Sequence, residues 1–135
     1  MYKRQHLAIA TLHANNTAET LDRIINMFPQ SQHAQIFMDL CHYLRAIIAQ
    51  RLVMGRSNRR VAAVEVLLNT PHVAELIMKG EIGEIKEALR ASAEEGMQSF
   101  DEALFRLYKD GRISLDHALA YADSSTDLEA RINFG

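Results

Sequence analysis

The sequence is poor in several residues that help to classify proteins: it has no tryptophan, one cysteine and two prolines among 135 residues. The single Cys41 excludes an internal disulfide and is typical of a reducing compartment. No apolar run reaches the roughly 18 residues that cross a bilayer, and Lys3 and Arg4 do not introduce a secretory leader, so no membrane insertion is expected. Basic residues number 15 against 17 acidic ones, and the net charge of −2 predicts no nucleic-acid partner.

The dipeptide Gly-Lys is also missing from the whole sequence. A P-loop needs the pattern Gly-x-x-x-x-Gly-Lys-Ser/Thr, because its backbone amides and its lysine surround the phosphates of a nucleoside triphosphate. These residues therefore contain no P-loop, and we expect the chain by itself to bind and hydrolyse no ATP.

Apolar residues make up 48% of the sequence, which is enough for one domain-sized core. The segment Leu7–Leu12 is apolar without polar alternation, as is typical of a strand covered on both faces in an α/β sheet. Such a strand needs a neighbour on each side, and only two later strands are predicted. We therefore expect an incomplete sheet whose bare faces and open edges promote aggregation.

The remainder of the N-terminal half is predicted to form two helices and a β-hairpin. Asn16 or Thr17 is a candidate N-cap, and Pro29 ends the first helix. A polar turn over residues 55–60 separates two stretches rich in β-branched residues, which indicates antiparallel strands. The predicted bounds are about Thr17–Phe28 and Ser31–Ala49 for the helices, and Arg51–Met54 and Val61–Leu68 for the strands.

The C-terminal half is predicted to be helical. Thr70-Pro71 marks a helix start, because a proline at the first helical position has no amide to leave unpaired. Ser99 and Glu102 form a capping box that opens another helix. Two more helices are expected to begin at Ser114 and Thr126, and glycines are expected to end earlier ones at Gly80, Gly96 and Gly111.

Several stretches, matched in order along the chain, resemble one protein family. His6–Asn16 is similar to the "His box" of the secretion-superfamily ATPases, whose pattern is Gly-His-Leu-(apolar)-Thr-Leu-His-Ala/Thr-Asn. Together these stretches resemble the C-terminal portion of the type IV pilus retraction ATPases, the PilT and PilU family. The other matching stretches are Asp22–Pro29, Arg45–Val53, Arg60–Pro71, Gly96–Leu104, Gly111–Ser114 and Ala122–Ser124.

The resemblance implies an α/β fold, with the trailing part of a RecA-like P-loop ATPase core over residues 1–70 and a C-terminal helical domain over residues 71–135. It implies a hexameric motor that couples hydrolysis of ATP, with Mg²⁺, to pilus disassembly and twitching motility. The expected partners are identical subunits or other retraction ATPase subunits in a mixed ring, and the inner-membrane pilus platform protein. The expected location is the cytoplasmic face of the inner membrane. Because the family's P-loop is missing, we expect the chain to be a fragment of such a motor.

The same resemblance assigns roles to individual residues. It implies that His13 lies near the γ-phosphate of ATP, where an imidazole can donate a hydrogen bond and titrates near neutrality, and that His6 supports it. The family's retraction element is Ala-Ile-Arg-Asn-Leu-Ile-Arg-Glu; the matching positions 72–79 keep the apolar residues Val73, Leu76 and Ile77 but replace both arginines. That replacement favours the PilU branch. No metal site is predicted.

Other interpretations of the sequence stay open. The chain could be a stand-alone, non-catalytic module that docks on full-length pilus or secretion ATPases, or, less consistently with its spacing, a small histidine enzyme. Cys41 and His42 are expected to be a buried thiol beside an exposed imidazole, because neighbours on a helix do not face each other. Glu65 is expected to pair with Arg51 across the hairpin or to face solvent. The motor assignment depends on the predicted inner strand that ends in His13: a structure that shows this stretch on the outside, or as a helix, would overturn it.

Overall fold

From residue 17 onward the elements follow the predicted order of two helices, a hairpin and further helices. The structure is a computed structural model, which describes residues 6–92 and 96–134. Two 3₁₀ turns, Gln30–Gln32 and Ile82–Glu84, precede α2 and α4. No helix in these two ranges combines the length and apolar character that crossing a bilayer requires. The elements are α1 Thr17–Asn26, α2 His33–Tyr43, β1 Ala46–Met54, β2 Arg60–Leu68, α3 Pro71–Lys79, α4 Ile85–Ala91, α5 Phe100–Lys109, α6 Leu115–Tyr121 and α7 Ser125–Phe134.

The two strands form an antiparallel hairpin, as predicted, but the first strand is longer than expected. In the pairing register Ala46 lies opposite Leu68 and Met54 lies opposite Arg60. The predicted helix over Ser31–Ala49 is therefore wrong in its last part, since α2 ends at Tyr43 and the chain enters β1 at Ala46. In sequence, Ile47 and Ile48 fit both the helical and the strand repeat of apolar residues. Their pairing with Leu67 and Val66 on β2 places them in a strand.

The strand predicted over Leu7–Leu12 is wrong. Residues 6–14 have no helix or strand, and the side chains of Leu7 and Ile9 are 78% and 87% exposed. A strand is stable only through hydrogen bonds to neighbours, and in the described part of the chain β1 and β2 pair only with each other, apart from an isolated bridge between Val66 and Gln98.

Most predicted helix starts are confirmed because they depend on local caps, whereas the helix expected to end at Gly96 ends at Ala91. The side chains of Asn16, Thr70, Ser99 and Ser114 each accept a hydrogen bond from an amide in the first turn of the following helix. The cap predicted at Thr126 is wrong: α7 begins at Ser125, and the Ser124 hydroxyl accepts from the Asp127 amide at 3.4 Å.

The hairpin separates two clusters of buried side chains. The first joins α1–α4 to one end of the hairpin, and the second joins α5–α7 to the other end. Ile47 and Leu67 belong to the first cluster, whereas Val53 and Ala63 belong to the second. Because each strand contributes to both clusters, the hairpin connects the two packing regions. The first cluster comprises Leu21, Ile25, Cys41, Ile47, Leu67, Val73, Leu76, Ile77, Ile82, Ile85 and Leu89. The second comprises Ala49, Val53, Ala63, Phe100, Ala103, Leu104, Leu107, Ile113, Ala118 and Leu128.

Candidate functional site

The two histidines singled out by sequence lie in the segment that precedes α1. His6 and His13 are both exposed, and neither imidazole forms a hydrogen bond with another described residue. The contacts that hold this segment in place are made at its C-terminal end, at residues 15–17.

A buried carboxylate from the hairpin holds the first residue of α1. Glu65 on β2 is 2% exposed, and its Oε1 accepts hydrogen bonds from the backbone amide and the hydroxyl of Thr17, both at 2.8 Å. A negative charge at this position also interacts favourably with the positive end of the helix dipole. Both sequence-based expectations for Glu65 are wrong, because Arg51 lies opposite Ala63 in the hairpin and Glu65 faces the interior.

Asn15 is held from the other side by the first turn of α1. Its backbone amide and its side-chain Nδ2 both donate to Glu19 Oε2 at 2.9 Å, and Arg23 donates to Glu19 Oε1 at 2.7 Å. The Asn15 amide and then the Arg23 guanidinium hold the pKa of Glu19 below its ordinary value, since both favour the ionised carboxylate. The chain just after His13 is thus fixed by charge-assisted hydrogen bonds.

Arg51 on β1 joins this segment to the C-terminal helices. Its Nε donates to the Asn15 carbonyl at 3.2 Å, and its Nη1 donates to the Tyr121 carbonyl at 3.2 Å and to Asp123 Oδ1 at 2.9 Å. The guanidinium also lies 4.0 Å from the ring centroid of Phe100, which is completely buried. One side chain therefore contacts the N-terminal segment, α5 and the α6–α7 turn.

The α6–α7 turn is itself held by α5. The Asp101 carboxylate accepts hydrogen bonds from the backbone amides of Asp123 and Ser124 at 2.7 and 3.1 Å. Arg90 on α4 lies 3.6 Å from the same carboxylate. The sequence did not reveal these roles, because the partner of Asp101 lies 22 residues away along the chain and that of Asp123 lies 72 residues away.

An open groove of about 460 Å³ lies between α4, α5 and α7. It is lined by three arginines whose charges are offset by nearby carboxylates: Arg106 pairs with Glu102 at 2.9 Å, and Arg131 pairs with the same carboxylate. Arg90 lies 3.8 Å from Asp127. The arginine charges of this groove are therefore balanced within the protein.

The retraction-element positions lie on the buried face of α3. Val73, Leu76 and Ile77 all belong to the first core cluster, and Ile77 is completely buried. The opposite face is exposed at His72, Glu75, Met78 and Lys79. A partner of α3 would therefore contact this second set rather than the three apolar positions.

Cys41 and His42 have the expected burial, but their side chains lie closer together than expected. The thiol is buried and the imidazole exposed, as expected, yet Cys41 Sγ lies 3.2 Å from His42 Nδ1. The same Nδ1 lies 2.7 Å from the Met38 carbonyl, which can only accept, so the ring proton resides on Nδ1. That nitrogen has no lone pair for the thiol proton, and the thiol donates to the Met38 carbonyl at 3.1 Å. The pair is not an activated nucleophile.

Solved structures share this fold. The crystal structure of the pilus retraction motor PilT with bound ADP matches with a TM-score of 0.79 and 30% identity, over 95% of this chain and 36% of that one. The Legionella pneumophila ATPase DotB matches with a TM-score of 0.63 and 25% identity, over 78% of this chain and 29% of its own. The fold is thus that of the C-terminal portion of a secretion-superfamily ATPase.

Sequence comparison specifies the family further. No protein-family model matches the chain. It is 51% identical to the type IV pilus ATPase PilU of Pseudomonas aeruginosa over 131 residues, covering 96% of this chain and 34% of PilU. It is 33% identical to PilT, the retraction ATPase of the same organism, over 113 residues, covering 84% of this chain and 33% of PilT.

The chain belongs to the PilT/PilU family of type IV pilus ATPases and spans about a third of the length of the relatives it matches. The predicted resemblance is confirmed, including its closer relation to PilU than to PilT. Residues 7–11 are exposed, and we expected such exposure to overturn the motor assignment. That expectation is wrong, because the chain is 51% identical to PilU over 96% of its length.

Proposed function

We propose that this chain is the C-terminal portion of a pilus retraction ATPase that couples ATP hydrolysis to type IV pilus disassembly and twitching motility. The observation that carries the proposal is the 51% identity to PilU over 131 residues. The match to the PilT motor structure over 95% of the chain supports it. Residues 1–70 would form the trailing part of a RecA-like core, and residues 71–135 a C-terminal helical domain.

In the complete motor, His13 would lie beside the γ-phosphate of ATP and His6 would support it. The related PilT was crystallised with ADP, which is consistent with a nucleotide in this family. Both imidazoles are exposed and make no hydrogen bonds to the described residues, so they are free to contact groups from elsewhere. Mg²⁺ and the phosphates would be held by a P-loop that these 135 residues do not contain, so the chain alone would hydrolyse no ATP.

The motor would act as a hexameric ring, of identical subunits or mixed with other retraction ATPase subunits. It would work at the cytoplasmic face of the inner membrane against the pilus platform protein. The membership in the PilT/PilU family supports this assignment. The exposed face of α3, with Glu75 and Met78, is available for such contacts.

The first experiment is to sequence the genomic DNA upstream of the Met1 codon. An in-frame continuation that encodes Gly-x-x-x-x-Gly-Lys-Ser/Thr is expected, and the extended protein should show Mg²⁺-dependent ATP hydrolysis that His13→Ala abolishes. His33→Ala serves as the matched control, because His33 contacts the Phe28 carbonyl at 2.9 Å and the ring of Phe37, both outside the segment that carries His13.

A stop codon and a ribosome-binding site directly upstream would contradict this proposal and favour a stand-alone module that docks on full-length motors. Mg²⁺-dependent hydrolysis by the purified 135-residue chain would contradict the statement that the chain is inactive alone. Deletion of the extended gene should abolish or weaken twitching motility.

A further inference from the structure

Arg51 is the side chain through which the segment after His13 contacts the C-terminal helices. We propose that Arg51 is a positioning residue: it couples the location of His13 to that of the α6–α7 turn, so that nucleotide-dependent movement at one is transmitted to the other. This inference rests on the proposed function, because the role of His13 in hydrolysis does.

The first step in the argument is the set of acceptors that Arg51 reaches. The Asn15 carbonyl is two residues from His13, whereas the Tyr121 carbonyl and the Asp123 carboxylate flank the α6–α7 turn. These groups are 36, 70 and 72 residues from Arg51 along the chain. Backbone groups from two distant regions thus accept hydrogen bonds from one guanidinium, and displacing either region disturbs the side chain that holds the other.

The second step is the rigidity of the guanidinium. It lies 4.0 Å from the ring centroid of the completely buried Phe100, which limits its freedom to reorient. The side chains of Arg51 and Asp123 are only 22% and 18% exposed, so water screens their ion pair less than it screens a surface pair. A planar fork with several donors is needed to hold these acceptors together, and lysine cannot supply it.

The third step is that the α6–α7 turn is itself held in place by α5. Asp101 holds the amides of Asp123 and Ser124, and its own helix, α5, carries Phe100 at the preceding position. The α6–α7 turn therefore moves with α5 rather than independently. At the near end, Glu65 holds Thr17, so the segment after His13 is fixed to the same hairpin that carries Arg51.

The coupling can be tested in the 135-residue chain itself, without nucleotide. Asp123→Asn removes the charge of the ion pair, and Arg51→Lys keeps the positive charge but loses the fork. Both are expected to shift the amide signal of Asn15 and to increase its hydrogen-exchange rate by roughly tenfold. Asp116→Asn, an exposed aspartate on α6, is the matched control and should leave Asn15 unchanged. Circular dichroism verifies that each variant is folded.

The consequence for hydrolysis is tested in the extended protein that carries the P-loop. Arg51→Lys and Asp123→Asn are expected to lower kcat for ATP by roughly tenfold or more, because misplacing a catalytic group slows the reaction without weakening substrate binding. KM for ATP should stay within about twofold of the unsubstituted value. Asp116→Asn should change neither constant.

The outcomes separate this inference from the proposed function. If the unsubstituted extended protein hydrolyses no ATP, the proposed function is overturned. The coupling between the segment after His13 and the α6–α7 turn is tested separately, by the hydrogen-exchange rate of the Asn15 amide. An unchanged Asn15 amide in folded Asp123→Asn and Arg51→Lys variants would overturn the coupling. An unchanged kcat in both variants would overturn the positioning role.

Discussion

Glu65 Oε1 lies 2.8 Å from both the backbone nitrogen and the hydroxyl oxygen of Thr17, so a single buried carboxylate fixes the start of α1 to the hairpin. The two residues are 48 positions apart in sequence, and both are almost completely buried. The segment that carries His13 ends at this contact, and its path is therefore set by a tertiary interaction.

Removal of this carboxylate should destabilise the fold. Glu65→Ala leaves the buried amide and hydroxyl of Thr17 without an acceptor, and we expect the free energy of unfolding to fall by about 2–3 kcal/mol. Glu65→Gln should cost less, because an amide oxygen still accepts a hydrogen bond. Urea denaturation measures both, with the exposed Glu129→Ala as a control expected within about 0.5 kcal/mol of the unsubstituted chain. Equal stability of Glu65→Ala and the unsubstituted chain would contradict this role.

The anchoring of Asn15 should weaken in acid. Since the pKa of Glu19 is lowered in the folded chain, its contribution to stability is fully present above the pKa of the unfolded chain. That contribution is lost as the pH falls through the lowered folded pKa. A side-chain NMR titration should give Glu19 a midpoint below that of an unfolded peptide, and Arg23→Ala should raise it. Arg60→Ala, at the end of β2 next to the hairpin turn, should not; a midpoint equal to that of the peptide would refute the prediction.

Truncating a side chain on the buried face of α3 should destabilise the fold much more than truncating one on its exposed face. Ile77→Ala opens a cavity in the first core cluster and is expected to lower the free energy of unfolding by about 2–5 kcal/mol. Met78→Ala, at a neighbouring position that is 54% exposed, should change it by less than about 0.5 kcal/mol. Thermal or urea unfolding checks the pair. Comparable losses for both would show that the buried and exposed faces are wrongly assigned.

The isolated chain should self-associate through the uncovered side of the hairpin. Ile48 and Leu52 are 70% and 47% exposed on β1, and within residues 6–92 and 96–134 the outer edge of that strand has no partner strand. Ile48→Lys is therefore expected to lower the average mass measured by sedimentation or light scattering. Met27→Lys replaces a 66% exposed side chain on another surface and should leave the mass unchanged. A concentration-independent monomer in the unsubstituted chain would be evidence against this prediction.

Most helix starts could be predicted from residues close to them in the sequence. Thr70, Ser99 and Ser114 were assigned as caps from their spacing, and each accepts a hydrogen bond from an amide three residues ahead. The reverse turn at Gly80 follows likewise, because its φ of +72° suits glycine. The cap before α7 was misplaced by two residues, since Ser124, Ser125 and Thr126 can all cap and the sequence alone does not choose among them.

The errors concern residues whose structure depends on distant partners. Ala46 and Ile47 continue a helical pattern in sequence, and only pairing with Leu68 and Leu67 places them in a strand. Leu7 and Ile9 have the composition of an inner strand, yet the described part of the chain offers them no neighbour. A strand needs hydrogen bonds outside its own segment, whereas a capped helix satisfies most of its own.

The sequence by itself determined the family, the order of the elements after residue 16 and most helix starts, because motifs and caps depend on residues close together in the chain. Only the tertiary structure decided that Glu65 holds Thr17 and that Arg51 joins Asn15 to Asp123. In sequence, Glu65 on β2 and Arg51 on the neighbouring β1 suggest an ion pair. Side-chain direction in the folded hairpin instead turns each toward groups 36 to 72 residues away.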